Sequence, residues 1–335
     1  MKKIILGLLF ISSLTITGQE EEKKFSLSGS VDAYYKTNLT STDQAIFGGG
    51  GDEFQSFGTS FANKTGFALG MINLIAAYEG EKTGFVADLA FGPRALEAVG
   101  GDDAVFVNQL YAYWNVSEST KLTIGRFNTY LGYEVISPVG NFNYTTSYMF
   151  SNGPFSHVGL KADFALSEDF SLMLAVMNPT DTNNNLTGDY GFGAQLGYSG
   201  QYLNFYYDSG VVLGFEVDYT GGFDLSDSVF LGINGAYQTN DDAGFYGVAL
   251  YPQYKTSDSF SLGLRGELFA NHASGASDLP SVFATTLTAS YSIESLTIKP
   301  EVRLDSWSND EPYFDNDLNS SSSLAAFAIA AIYSF

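Results

Sequence analysis

The chain has 335 residues, with 37 Asp and Glu against 15 Lys and Arg, two His and no Cys. A net charge of −22 excludes a nucleic-acid binder, whose phosphate partners need a basic surface, and the missing thiols exclude a disulfide framework, a lipidated cysteine and thiol chemistry. Thirty-six Gly, 28 Phe and 22 Tyr beside only 8 Pro suit strands and tight turns.

At the start of the chain, Lys2 and Lys3 precede the apolar run 4–11, and small or hydroxylated residues follow as far as Gly18 and Gln19. This is the layout of a cleaved signal peptide over 1–18, too short to cross a bilayer. A buried N-terminal helix is the alternative, and the acidic-then-basic stretch 20–24 suits a solvated tether. No later run approaches the ~18 consecutive apolar residues of a membrane helix. Residues 19–335 show no linker and no change to helical periodicity, and read as one domain exported to the periplasm, the outer membrane or the medium.

Period-2 alternation then recurs at 25–37, 66–79, 83–92, 104–116, 120–129, 156–166, 170–178, 190–199, 201–208, 211–222, 229–239, 244–255, 259–270, 282–292, 296–305 and 322–335, about sixteen candidate strands. Short connections at 80–82, 117–119, 167–169, 256–258 and 293–295 alternate with long polar ones at 38–65, 93–103, 130–155, 179–189, 271–281 and 306–321; those at 209–210 and 240–243 depart from the rule by being short. A meandering membrane barrel gives this alternation, because turns lie on one side of the membrane and loops on the other. The predicted fold is all-β: a transmembrane antiparallel β-barrel with short periplasmic turns and longer extracellular loops.

The segment 296–305 carries the two-faced pattern most clearly. Leu296, Ile298, Pro300, Val302 and Leu304 share one face, and Thr297, Lys299, Glu301, Arg303 and Asp305 share the other. Pro300 cannot donate to a ladder and favours an edge strand. A Lys or Arg on the lipid side near the midplane costs roughly 2–4 kcal/mol, so the charged face must look inward. The same rule places Asp32, Lys36, Asp88, Gln109, Lys161, Asp163, Asn204, Asp208, Glu216, Asp218, Asn234, Gln238, Arg265 and Glu267 in the lumen. Val31, Ala33, Leu89, Phe91, Leu160, Phe164, Leu213, Phe215, Leu262 and Leu264 then face lipid. The inward set is mixed in sign with an acidic excess, which predicts a mild preference for cations. Lys299, Glu301, Arg303 and Asp305 can equally form a salt-bridge lattice that stiffens the wall.

Three places resist the simple pattern. Leu122, Ile124 and Arg126 share parity, and a bulge near Gly125 would reconcile them. The 130–155 stretch is long and too aromatic for a solvated loop; it either folds back toward the barrel mouth, bringing Glu134, Asn141, Asn143 and Tyr144 near a constriction, or packs on the rim. The last strand ends on Phe335, a terminal aromatic suited to recognition by the barrel-assembly machinery, yet its second face, Ala326, Ala328, Ala330 and Ile332, is small where a polar lumen face is expected.

The SGSVDAYY strand, VNQLYAYWNV, GRFNTYLGYE leading into NFNYTTSY, GPFSHVGLKADF, KPEVRLD and the terminal Phe, in that order over essentially the whole mature chain, resemble the OmpL-like outer-membrane porin family (beta-barrel porin-2). The resemblance implies a water-filled channel in the cell outer membrane for passive diffusion of small hydrophilic solutes and ions. It supplies no catalytic residue and no cofactor. The expected partners are outer-membrane lipid, the assembly machinery, the solutes and further copies in a homo-oligomer. A plugged barrel with a structural or adhesive role is the second reading. An outer-membrane hydrolase, which would need His157 or His272, is the third. Asp310, Glu311, Asp315 and Asp317 are oxygen ligands suited to Ca²⁺ but lack the glycine and terminal Glu of a helix-loop-helix site, and a solvated acidic loop is the plainer reading, so no metal is assigned.

Overall fold

The computed structural model describes residues 25–48, 51–53, 55–99, 106–210 and 212–335; the predicted signal peptide lies outside them. Sixteen antiparallel strands close into one barrel. In chain order they are β1 Phe25–Asn38, β2 Gly66–Glu79, β3 Thr83–Phe91, β4 Val107–Ser117, β5 Thr120–Asn128, β6 Ser156–Ala165, β7 Phe170–Met177, β8 Gly191–Tyr198, β9 Gln201–Tyr207, β10 Phe215–Ser226, β11 Val229–Asn240, β12 Ala243–Lys255, β13 Phe260–Ala273, β14 Ser281–Ile293, β15 Leu296–Ser308 and β16 Ser323–Ser334. Each pairs with its chain neighbour, and β16 returns to β1 in register from Ser30 opposite Ser334 to Asn38 opposite Ala326. Closure leaves the barrel sheet without an edge strand. Two short helices, α1 Pro93–Val99 and α2 Tyr148–Asn152, lie in the loops. No helix among the described residues is long and apolar enough to cross a membrane; the strands are the crossing elements.

The alternation of sequence becomes an alternation of burial. On β15 Glu301, Arg303 and Asp305 are buried while Val302 and Leu304 are 44% and 49% exposed, the order expected when lipid lies outside and a packed interior lies within. The start of β1, the end of β16 and most of the short turns share one end of the barrel; the long loops and the connection Asp241–Asp242 share the other. The two-residue connection Asp241–Asp242 has positive φ at both residues, the backbone that a tight hairpin demands.

Several expectations are corrected. Pro300 sits in the wall between β14 and β16, opposite Ile329, and not at an edge. Its missing N–H is accommodated by a gap in the β14 ladder between the Thr288–Glu301 and Tyr291–Ile298 pairs, with the register unchanged. β10 begins at Phe215 and not near 211, because the Asp208 carboxylate accepts the amides of Gly210, Leu213 and Gly214 and draws the residues just before the strand into a loop. Leu213 therefore packs inside with Phe127, Met177 and Tyr206 and does not face lipid. No bulge occurs at Gly125: its pairing to Tyr111 and Gly159 is continuous. Gly125 instead adopts φ +134°, open to glycine alone among the common residues, and the consecutive Arg126 and Phe127 are both buried.

Candidate functional site

The interior is built around the loop 129–155, which turns into the barrel between β5 and β6 and runs along the inner wall. Its residues 141 and 143–150 are all buried. The wall holds it mainly through carboxylates that accept its backbone amides. Glu301 on β15 accepts the amide of Tyr144 at 2.8 Å and that of Thr145 at 3.2 Å, together with the hydroxyls of Thr145 and Thr288. Glu267 on β13 accepts the amides of Tyr148 and Met149, both at 2.9 Å. These are the first two donors of α2, which its helical turn leaves without internal partners. Ser147 caps the same helix by accepting from Phe150. Asp218 on β10 accepts the Gly132 amide at 3.0 Å.

Cations of the wall complete the loop by donating to its carbonyls. Arg265 pairs with Glu134 at 2.6 Å and donates to the carbonyls of Thr145 and Thr146. Lys299 donates to the carbonyls of Pro138 and Asn141. Arg303 grips Asp305 through two bonds of 2.8 Å and donates to the Thr146 carbonyl. The lattice expected within β15 is thus one pair, Arg303–Asp305; Lys299 and Glu301 bind the loop and not each other. Tyr144 and Tyr148 donate their hydroxyls to Asp32 at 2.6 Å and Asp305 at 2.7 Å.

Glycines on the inner face make room for the loop. A Cβ on Gly193, Gly232, Gly247 or Gly263 would meet Tyr130, Tyr133, Met149 or Phe142 respectively. The small face of β16 has the same cause, since Ala330 and Ile332 pack against Tyr144 and Tyr34. Burial pushes the Tyr133 hydroxyl up to about 12, and raises those of Tyr130, Tyr144 and Tyr148.

The remaining residues expected inside are placed as follows. Asp88 is buried and accepts from Asn73, Asn108 and Gln109; a register shift opposite Asp88 turns both Asn108 and Gln109 toward it. Lys161 and Asp163 pair at 3.4 Å and remain partly exposed. Lys36 lies 5.1 Å from the centre of the Phe57 ring. Asn204 and Asn234 donate to Asp218 at 2.6 Å each, Gln238 donates to the Leu213 carbonyl, and Glu216 is 2% exposed with one oxygen unpartnered among the described residues. Asn141 closes a ring with Val135 inside the loop, and Asn143 donates to Thr288. Phe335 exchanges both backbone bonds with Gly29 on β1. Asp315 binds the amides of Asp317 and Asn319, shaping its own turn, and among the described residues no group of three or more His, Asp or Glu is gathered to hold a metal.

Sequence reasoning missed Arg94, whose Nε donates to the Ile136 carbonyl at 2.7 Å and whose guanidinium lies over Phe61. As one of only two bases in the long loops, beside Lys64, it could have been flagged. Thr145 and Thr146 left no such signal.

A closed sixteen-strand barrel with an apolar outer face and charged residues inside, lined by an inturned loop, defines an outer-membrane porin. Solved structures agree on the fold. The anion-selective porin from Comamonas acidovorans superposes with a TM-score of 0.57 at 10% identity, covering 93% of this chain and 99% of that one. The trimer form of OmpT, an outer membrane protein of Vibrio cholerae, gives 0.55 at 11% identity with the same coverages. A mutant of Rh. blastica porin gives 0.51 at 15% identity, covering 93% and 100%. Residues 24–335 match the family described as "Putative beta-barrel porin-2, OmpL-like", and the chain belongs to that family. No curated sequence matches it.

Proposed function

We propose that the barrel is a passive diffusion pore for small hydrophilic solutes and ions, mildly preferring cations, and not an enzyme. The observation that carries this reading is the asymmetry of the lumen. The inward residues Arg265, Glu267, Thr286, Thr288, Glu301 and Arg303 on β13–β15 are sealed under the loop, whereas Tyr111, Asn115, Lys121, Lys161, Asp163 and Gln195 on β4–β8 are only half-buried, which leaves a hydrated lane on the turn-end half of that side. The lane carries both signs, so the cation preference is assigned to the mouth. Among the described residues, the connections at the loop end hold 15 Asp and Glu against only Lys64 and Arg94, an acidic field that concentrates cations.

Against hydrolysis, His157 is fully buried with Nε2 at Thr129, and His272 contacts the Gln238 carbonyl. Residues 1–18 are read as the export signal and 19–335 as one barrel domain. The turn end is read as periplasmic, lipid as covering the apolar wall, and Phe335 as the contact for the assembly machinery. Trimeric relatives of this fold support self-association.

The buried inner loop also favours a second reading, a plugged barrel. Planar-bilayer recording separates the two. Discrete conducting steps, with a reversal potential of cation-preferring sign under a KCl gradient, are expected of the pore. A protein that shows heat-modifiable gel mobility but no steps is the plugged barrel.

A further inference from the structure

Below the inner loop, the turn-end half of the lumen contains two cavities of different chemistry. One, of about 720 Å³, is charged, with Glu81, Lys82, Lys121 and Asp163 in its lining. The other, of about 580 Å³, is bounded by β10–β12, β14–β16 and the loop, and its size falls in the roughly 300–1,000 Å³ that accommodates a compact organic ligand. Three of its aromatic residues, Tyr133, Phe142 and Phe230, are half-buried. Tyr133 stacks on Tyr251 with ring centres 4.3 Å apart. The rings of Tyr133, Phe142 and Phe230 occupy the space a Cβ would need on Gly232, Gly263 and Gly222, so inward glycines seat rings along this part of the wall.

The polar groups there are available. Asp224 and Gln253 make no side-chain hydrogen bond among the described residues, while Lys299 is used by loop carbonyls and Glu134 by Arg265. Rings left partly uncovered in a wet lumen, beside an unengaged carboxylate and amide, match a ligand with one apolar face and a rim of hydroxyls. The Asp224 carboxylate and the Lys299 ammonium, which is held only by neutral carbonyls, offset each other, so the cavity suits a neutral ligand. We propose that this cavity is a binding site for a neutral saccharide, a pyranose mono- or disaccharide, on its way through the pore. The inference rests on the pore reading above.

The test records single channels in KCl with added maltose, and with mannitol as an open-chain polyol of similar hydroxyl content. Maltose is expected to interrupt the current saturably, beyond the viscosity effect that mannitol shares. F230L, checked for folding by heat-modifiable mobility, should weaken the half-saturating maltose concentration roughly three- to tenfold, and D224N should weaken it as well. Equal, non-saturating effects of maltose and mannitol on the native channel overturn the saccharide site and leave the pore standing. If the native protein forms no channel, the pore reading fails. Equilibrium dialysis of the refolded protein with labelled maltose then decides the site by itself: saturable binding lost in F230L supports it, and no binding overturns it.

Discussion

Replacing Glu301 by alanine tests whether wall carboxylates hold the inner loop. The Glu301 carboxylate receives four donors, the amides of Tyr144 and Thr145 and the hydroxyls of Thr145 and Thr288. Hydroxyls can rotate to other acceptors, but the amides are fixed by the backbone. Each amide left unpaired away from water costs about 1–3 kcal/mol, so E301A is expected to cost about 2–6 kcal/mol. That is a large part of a typical stability of about 5–15 kcal/mol. Glu267 and Lys299 still grip the flanking residues and Arg265 still holds the Thr145 and Thr146 carbonyls, so the expected response is loosening of the stretch around 143–145 and not unfolding of the wall. Two readouts follow it: the temperature at which gel mobility converts to the unfolded form should fall, and single-channel conductance should rise. E301Q should lie between native and E301A, because its carbonyl keeps acceptor capacity while its NH₂ faces a donor. If both variants keep the native conversion temperature and conductance, the anchoring argument is wrong.

G193A should push its new methyl into Tyr130 and lower stability by about 1–3 kcal/mol, read from the midpoint of urea unfolding. The buried loop tyrosines set an alkaline limit. Their folded pKa values are raised above 10, so the stability they confer is full below pH 10 and is lost as pH rises from there through the folded values, the loss being complete near 12 for Tyr133. Ultraviolet titration should show these tyrosines ionising after the exposed ones, together with loss of the folded gel form; simultaneous ionisation of all tyrosines near pH 10 in folded protein would contradict their burial. Neutralising the exposed rim acids Asp310, Glu311 and Asp317 together should move the reversal potential in a KCl gradient toward zero, most clearly at low salt where screening is weak. An unmoved potential would assign selectivity elsewhere.

The wall was legible because strand alternation is a local signal: each of the sixteen predicted strands overlaps an observed one, most within three residues at either end. What failed were places where a contact outside the strand's own alternation overrides local preference. Pro300 reads as an edge residue only if the sheet has edges. Leu213 reads as lipid-facing only if the neighbouring Asp208 does not gather three amides. The charges of β15 were placed on the correct side of the strand, but their partners were not, since Glu301 and Thr145 lie 156 positions apart and no short-range pattern joins them. Inward glycines at 193, 232, 247 and 263 look like weak points in strands until the side chains that occupy their space are known.

The position of Tyr144 bears on how the barrel is made. Its ring lies 5.5 Å from that of Tyr34, its hydroxyl reaches Asp32 on β1 and its amide reaches Glu301 on β15. The loop thus spans the seam where the first and last strands meet. Seating the segment before the two margins of the sheet join brings all of its wall contacts together as the cylinder closes. Zipping β16 onto β1 then becomes an act of enclosure, and Ala326, Ala328 and Ala330 leave clearance on the inner side of the closing strand. Contacts this remote along the chain make for slow folding, and the expected signature is late acquisition of gel heat-modifiability, after most strand structure has formed.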